Sequence, residues 1–155
     1  MKIELEAIAF VKNSRKELID DNWSSIESEI ELTENIFTEA FEGIENFSHL
    51  EIIFFMNKVK DEKAIAQYRH PRNNESLPKL GTYAQRNKNR PNKLGLTTVE
   101  LLERNARILK VKNLDAIDGT PILDIKPVMK QFEPKGKIKQ PKWTNEILKN
   151  YWKTK

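Results

Sequence analysis

Seven cations and a single acid make residues 69–95 the segment of this sequence best suited to bind an anion. The cations are Arg69, Arg72, Lys79, Arg86, Lys88, Arg90 and Lys93, and the acid is Glu75. Asparagine and proline residues between 87 and 92 predict irregular backbone. An irregular loop with several guanidinium forks suits phosphate or carboxylate recognition, because each fork donates two parallel hydrogen bonds. A solvated basic surface loop would have the same composition, and chemistry alone does not separate the two interpretations.

Three carboxylates lie close together between residues 114 and 127. Asp115, Asp118 and Asp124 could bind a metal, orient a ribose or remove a proton. Their spacing matches no metal motif, and the absence of cysteine excludes thiolate sites and disulfides, so we predict no metal. The tetrapeptide Asp-Gly-Thr-Pro at 118–121 is also an ordinary turn, in which Asp bonds its own backbone and Gly adopts a positive φ.

The elements that must position these residues are short and mostly extended. Alternation of apolar and polar residues predicts strands at 3–11, 27–32, 50–56, 82–84, 94–102, 106–111 and 121–125. A short helix is predicted at 33–41, and another starts at Thr144 with Ile147, Leu148, Tyr151 and Trp152 on one face. Many short strands and few helices favour a mostly β fold: a small antiparallel β-barrel with peripheral short helices and a C-terminal helix. The Gly-rich strand–turn–helix of common nucleotide-binding folds is missing.

Length and charge limit the class of protein. The 155 residues suffice for one domain with its own core. No apolar run approaches the roughly 18 residues of a membrane span and the first residues do not resemble a signal peptide, so we expect a soluble, cytoplasmic protein. Residues 1–51 hold thirteen acids and four Lys or Arg, whereas residues 52–155 hold ten and twenty-three. This asymmetry suggests an anionic partner for the basic part, although without a motif a solvated basic face is the simpler explanation.

Four linked motifs together resemble the TsaA-like methyltransferase family, which includes YaeB/TrmO-like and VirR-like proteins. In chain order they are GIENFSHL at 43–50, GTYAQRNKNRPNKLG at 81–95, LDAIDGTP at 114–121 and DIKP at 124–127. The resemblance implies a small antiparallel β-barrel that binds S-adenosylmethionine and forms homodimers, with the pocket near the dimer interface. It further implies a cofactor-binding barrel domain at 1–130, followed by a basic tail at 131–155 whose helix packs on that domain.

The resemblance also implies which residues form the site. Those expected to bind the cofactor are Trp23, Asn57, Lys58, Arg86, Leu96, Leu114, Asp115, Ala116 and Ile117. Arg86 is expected to anchor the cofactor and Asp115 to act as a positioning acceptor or a base, so these two are the catalytic candidates. The candidates for substrate binding are Arg72, Arg90 and Asn92, although the Arg-Pro-Asn motif would also serve to brace its loop.

The best-known members of the family methylate the exocyclic nitrogen of threonylcarbamoyl-adenosine in the tRNA anticodon loop, and the resemblance implies the same reaction here. Residues 69–95, which we call the basic segment, favour a tRNA partner, because RNA binding depends on Lys and Arg. The chain differs from the tRNA-modifying branch at Asn57 and Lys58, where that branch has His-Gln, and at Trp23. These differences, with the short chain after residue 130, favour methylation of a small molecule. A non-catalytic, regulatory protein that binds S-adenosylmethionine is the other alternative.

Overall fold

A computed structural model describes residues 1–153, which form one closed β-barrel with short peripheral elements. The strands are β1 (Ala9–Lys12), β2 (Glu27–Leu32), β3 (His49–Phe55), β4 (Tyr68–Arg69), β5 (Leu80–Gly81), β6 (Leu94–Asn105), β7 (Ile108–Lys112) and β8 (Pro121–Pro127). Six of them close the barrel in the order β1-β2-β7-β6-β3-β8, with antiparallel neighbours throughout. Strands β4 and β5 form a separate two-stranded sheet. The α-helix of the described chain, α1 (Trp143–Ile147), lies near its C-terminal end.

Alternate residues of the strands fill the interior of the barrel. In β2, for example, Ser28, Ile30 and Leu32 are buried while Glu27 and Glu29 are exposed. The buried apolar side chains of the core are Ala9, Val11, Ile30, Leu32, Phe41, Leu50, Ile52, Phe54, Val99, Leu109, Val111, Leu114, Ala116 and Ile122. Full burial of a Val, Leu or Ile contributes about 1.5–3 kcal/mol relative to its exposed state, so this cluster stabilises the fold more than the short helices do.

Strands β3 and β6 pair along seven residues, and one of these pairs joins an aromatic ring to a glycine. Phe54 lies opposite Gly95 and is only 4% exposed. A Cβ at position 95 would overlap three atoms of the Phe54 ring. The absence of a side chain at Gly95 therefore lets the ring lie against β6. Glycine is required at this position of the motif for a steric reason that is independent of any ligand.

The predicted mostly β barrel with short helices is confirmed, whereas three local predictions before β6 are wrong. The strand predicted at 3–11 begins only at Ala9, because β2 ends at Leu32, the partner of Ala9, and residues 1–8 belong to no strand. Residues 82–84 form a 3-10 turn instead of a strand. The helix predicted at 33–41 is reduced to a 3-10 turn at Thr38–Phe41, since its preceding residue supplies no side-chain cap.

After β8 the chain passes through an exposed segment, 129–142, to α1. This helix has only five residues, and residues 150 and 151 beyond it meet the loop that precedes β2. Within residues 1–153, no helix combines the length and apolar character needed to cross a membrane. The division into a domain at 1–130 and a tail at 131–155 stays a prediction, and residues 154 and 155 lie outside the described part.

Candidate functional site

Asp115 is held between two hydroxyl groups. It is half-buried in the loop between β7 and β8, and each of its carboxylate oxygens accepts one hydrogen bond. The Thr97 hydroxyl in β6 donates to Oδ1, and the Tyr151 hydroxyl donates to Oδ2. Because a carboxylate oxygen accepts up to two hydrogen bonds, each keeps one further acceptor position. Asp115 is thus oriented by the protein and still able to bind another donor.

Arg86 reaches the same part of β6 from the basic segment. Its Nη2 donates to the carbonyl oxygen of Leu96, the residue before Thr97. Burial and then the neighbouring Asp115 carboxylate raise the pKa of Tyr151, whereas the charge of Arg86 acts in the opposite direction. Leu96 is followed in β6 by Thr97, whose hydroxyl binds Asp115, so Arg86 and Asp115 bind adjacent residues of one strand. We call Arg86, Asp115, Tyr151 and residues 96–97 the Asp115 cluster.

The loop that carries Asp115 is braced by Asn13, the residue after β1. The Asn13 side-chain amide donates to the carbonyl oxygen of Ala116 and to the Ser28 hydroxyl, both at 2.9 Å. The Asn13 N–H donates to Asp118 Oδ1 at 3.1 Å. Gly119 adopts the positive φ predicted for the Asp-Gly-Thr-Pro turn, but the Asp118 carboxylate binds Asn13 and not its own backbone. These contacts fix the backbone around Asp115 before any ligand binds.

The neighbours of Asp115 contribute mainly main chain to the site. Leu114 is 0% and Ala116 is 3% exposed, and both side chains belong to the core. Ile117 is also buried. A ligand beside this loop would meet the backbone of residues 114–117 and the Asp115 side chain, so these four predicted cofactor residues cannot all act through their side chains.

The polar loop before β2 is organised by a buried guanidinium. Arg15 is 6% exposed and donates to the carbonyl oxygens of Ile19, Asp21 and Asn22. Its Cζ lies 4.7 Å from the ring centroid of Trp23, which is itself 5% exposed. The Trp23 N–H donates to the carbonyl oxygen of Tyr151 at 2.9 Å. Trp23 thus reaches the Asp115 cluster through its backbone, while its indole packs under Arg15.

A cavity of about 360 Å³ adjoins the cluster at Leu96. Its lining residues are Ile53, Tyr83, Arg90, Pro91, Asn92, Leu94, Gly95 and Leu96. Its volume is within the range of roughly 300–1,000 Å³ found for small-molecule sites. Arg90 donates to the carbonyl oxygen of Gln85 at 2.8 Å and lies 5.8 Å from the centroid of the Tyr83 ring. Arg90 therefore braces its own loop as well as lining the cavity.

Comparison with known proteins decides the family. The profile described as the tRNA-methyltransferase O N-terminal domain matches residues 20–134, about three quarters of the chain. The chain belongs to this family. The matched range includes every predicted cofactor residue from Trp23 to Ile117 and ends before Tyr151.

Individual members of the family are similar over most of the chain. A protein of Pyrococcus abyssi, described as a probable S-adenosyl-L-methionine-binding protein, is 35% identical over 120 residues, covering 75% of this chain and 62% of that protein. The tRNA (adenine(37)-N6)-methyltransferase of Escherichia coli is 38% identical over 95 residues, covering 59% of this chain and 40% of the enzyme. The crystal structure of TrmO from Pseudomonas aeruginosa superposes with a TM-score of 0.72 at 25% identity, covering 90% of this chain and 62% of that one. This chain therefore spans less than two thirds of the length of each of these three proteins.

Some residues expected in the site make other contacts or none with the Asp115 cluster. Arg72 is bound to Asp21 by a two-pronged ion pair at 2.7 and 3.2 Å, and this partner raises the pKa of Arg72. Asn57 and Lys58 are exposed in the turn after β3, and no hydrogen bond or ion pair of the described residues joins them to Asp115 or Arg86. The structure thus brings together Arg86, Leu96 and 114–117, while the roles of the other candidates stay predictions.

Thr97, Tyr151, Asn13 and Arg15 are site residues that the sequence analysis missed. Tyr151 was expected on the apolar face of the terminal helix, but that helix ends at Ile147 and the hydroxyl turns to Asp115. The sequence does contain a signal for Thr97, because a hydroxyl side chain occupies an inward-facing position of β6, where apolar side chains are the rule. Within residues 1–153, no group of three or more His, Asp or Glu side chains is arranged to hold a metal ion. The prediction that no metal is required is untested.

Proposed function

We propose that this chain is an S-adenosylmethionine-dependent methyltransferase. We further propose that it methylates the exocyclic nitrogen of threonylcarbamoyl-adenosine in the tRNA anticodon loop. The observation that carries the proposal is the Asp115 cluster, in which Arg86 binds Leu96 and the oriented Asp115 carboxylate binds the next residue, Thr97. All four residues lie within the matched family range. The relatives named as S-adenosyl-L-methionine-binding protein and as tRNA (adenine(37)-N6)-methyltransferase support the same function.

The residues present fit S-adenosylmethionine. The Arg86 guanidinium suits the cofactor's carboxylate, and the remaining acceptor positions of Asp115 suit a ribose hydroxyl or the ammonium group. The Leu96 side chain is 45% exposed and offers an apolar contact for the purine beside the cavity. When bound, the cofactor supplies an electrophilic methyl group on its sulfonium.

The chain's own part in methyl transfer is mainly positioning. An in-line displacement requires proximity and a desolvated nucleophile more than side-chain chemistry. Asp115 accepts a hydrogen bond from the acceptor's N–H or takes its proton. The Thr97 and Tyr151 hydroxyls fix the orientation of the carboxylate, which suits a positioning acceptor.

The lysine-rich segment, residues 130–142, is the surface best suited to tRNA phosphates. It contains Lys130, Lys135, Lys137, Lys139 and Lys142, and every one of its residues is exposed. Among the described residues none of these lysines has an ion-pair partner. In contrast, three of the seven cations of the basic segment are paired: Arg72 with Asp21, Lys88 with Asp20 and Lys93 with Asp61. A tRNA substrate implies a cytoplasmic protein.

These internal pairs are also the reason to keep a second candidate function. The basic segment uses its cations to hold the loop before β2, so its composition alone is weaker support for RNA binding than the sequence suggested. Methylation of a small molecule, or cofactor binding without catalysis, remains the alternative. Labelled-methyl transfer to tRNA carrying threonylcarbamoyl-adenosine separates them. Transfer to that tRNA supports the first function, and cofactor binding without transfer to any tRNA supports the alternative.

We also propose a homodimer. Tyr83, Leu94 and Leu96 are 75%, 39% and 45% exposed beside the cavity, and contiguous exposed apolar side chains commonly mark interfaces. A two-fold pair is the commonest closed assembly. Light scattering at micromolar concentration is expected to give twice the 18.2 kDa chain mass. A mass of one chain would contradict the dimer, and Leu94→Glu is expected to lower the mass toward one chain.

A further inference from the structure

We propose that Tyr151 is a positioning residue of the site, supplied by the C-terminal segment 143–153, which holds Asp115 in the orientation needed for the cofactor. This inference rests on the proposed function but concerns a residue outside the matched family range, 20–134. It assigns a role in the site to a part of the chain that would otherwise be only a terminal tail.

The geometry shows that Tyr151 is anchored twice. Its hydroxyl donates to Asp115 Oδ2, and its carbonyl oxygen accepts from the Trp23 N–H at 2.9 Å. The preceding carbonyl, of Asn150, accepts from the Asn22 N–H at 3.0 Å. The Trp152 ring packs edge-to-face on the Tyr151 ring at a centroid distance of 5.0 Å. Two backbone hydrogen bonds and a ring contact therefore fix the position of the phenol independently of its hydrogen bond to the carboxylate.

Tyr151 and Thr97 complement each other at Asp115. Thr97 alone would fix only Oδ1, and the carboxylate could still rotate about its Cβ–Cγ bond. With a donor on each oxygen, the plane of the carboxylate is fixed, and the remaining acceptor positions point in defined directions. Preorganised acceptors increase affinity because the cost of ordering them is met before binding.

Simple packing does not require this hydroxyl. A tyrosine that served only to attach the tail would use its ring and backbone, and a phenylalanine would replace it. The hydroxyl instead donates to the carboxylate that also accepts from the Thr97 hydroxyl, next to the residue that Arg86 binds. The phenol is therefore part of the Asp115 cluster rather than of the tail alone.

The test measures S-adenosylmethionine affinity by calorimetry at neutral pH. The proteins are wild type, Tyr151→Phe, Asp115→Asn, the double variant and Tyr68→Phe. Tyr68 is 73% exposed and is the matched control for loss of a phenol. We expect Tyr151→Phe to weaken binding about tenfold, as for a hydrogen bond to a charged group. In the Asp115→Asn background the same change is expected to alter affinity less than about twofold, because the coupled partner is already gone.

The double variant separates positioning from simple attachment of the tail. A tyrosine that only attached the tail would lose the same affinity in either background, whereas a positioning residue loses affinity only when Asp115 is present. An unchanged affinity in Tyr151→Phe, with only a lower melting temperature, would overturn the inference. Tighter binding would overturn it too, since the phenol would then occupy the cofactor's place. If the wild type binds no cofactor, the proposed function itself fails and the inference fails with it.

Discussion

The backbone N–H of Trp23 and the carbonyl oxygen of Tyr151 are joined by a hydrogen bond of 2.9 Å. The two residues are far apart in the sequence, yet this bond brings the loop before β2 and the end of the chain to the same side of Asp115. Arg15 fixes that loop from within, so the position of the phenol depends on a guanidinium that has no contact with it. The site therefore combines four separate parts of the chain: the loop before β2, residues 86–97, the loop of Asp115 and the C-terminal segment 143–153.

Replacement of Arg86 tests the cofactor anchor. Arg86→Ala is expected to raise the dissociation constant for S-adenosylmethionine about 30-fold, equivalent to about 2 kcal/mol for a lost charge-assisted hydrogen bond. Arg86→Lys is expected to recover only part of this loss, because an ammonium cannot reproduce the guanidinium fork. Calorimetry with and without a chelator measures both variants and the metal independence of binding. Equal affinities for wild type and Arg86→Ala would remove Arg86 from the site.

Replacement of Asp115 separates an acceptor from a base. Asp115→Asn is expected to leave the fold intact and to slow labelled-methyl transfer to tRNA carrying threonylcarbamoyl-adenosine. A loss of about tenfold indicates a positioning acceptor, whereas a loss of a hundredfold or more indicates a general base. Asp124→Asn is the control, since Asp124 pairs with Lys126 at 2.6 Å on the surface. A variant as fast as wild type would show that Asp115 is not in the catalytic site.

The pairing of Phe54 with Gly95 predicts a steric effect on stability. Gly95→Ala is expected to lower the free energy of unfolding by about 1–3 kcal/mol, because the added methyl group displaces the buried ring. Gly81→Ala is the matched control, because a Cβ there meets no atom within 4 Å. Urea denaturation measures both variants. If both lose the same stability, backbone flexibility rather than the ring explains the glycine.

The Tyr151 phenol is expected to resist alkaline titration. Burial and the Asp115 carboxylate raise its pKa, so its ionised form is disfavoured in the folded protein. The unfolded chain loses this proton above about pH 10, and the contribution of the phenol to stability is therefore present below that pH and declines above it. Up to about pH 11, tyrosinate absorbance is expected to be equal in wild type and Tyr151→Phe while circular dichroism shows the native fold. A larger increase in tyrosinate absorbance in wild type than in Tyr151→Phe would contradict the prediction that the phenol stays protonated.

The lysine-rich segment is expected to bind RNA phosphates. Replacement of Lys135, Lys137 and Lys139 by Gln is expected to weaken tRNA binding and to reduce the slope of log affinity against log salt by about 2–3. The control replaces Lys12, Lys110 and Lys126, which pair with Glu31, Glu27 and Asp124, and so changes net charge equally. Filter binding at several salt concentrations measures the tRNA affinity and the salt dependence of both triple variants. Equal losses in both triple variants would indicate a non-specific effect of charge.

The barrel could be predicted from the sequence because its signal is local. Alternation in β2 and the positive φ of Gly119 each depend on a few neighbouring residues. The contact of Tyr151 with Asp115 could not be predicted, because it joins residues 36 positions apart and the helical pattern that placed Tyr151 on an apolar face ends at Ile147. The ion pair of Arg72 could not be predicted for the same reason, since its partner Asp21 lies 51 positions away. Arg72 resembles a phosphate ligand in the sequence but forms an internal ion pair in the structure.

The closure of the barrel between β1 and β8 has a consequence for its motions. Only two residue pairs, Ala9 with Ile122 and Phe10 with Pro121, join these strands, compared with seven between β3 and β6. Beyond these pairs the seam is continued by the backbone hydrogen bonds of Val11 with Thr120 and Gly119. Amide hydrogens along this seam are expected to exchange with solvent sooner than those of β3, through local opening that leaves the rest of the barrel folded. Because the seam continues directly into the loop of Asp115, such openings would let the protein admit a large ligand without unfolding.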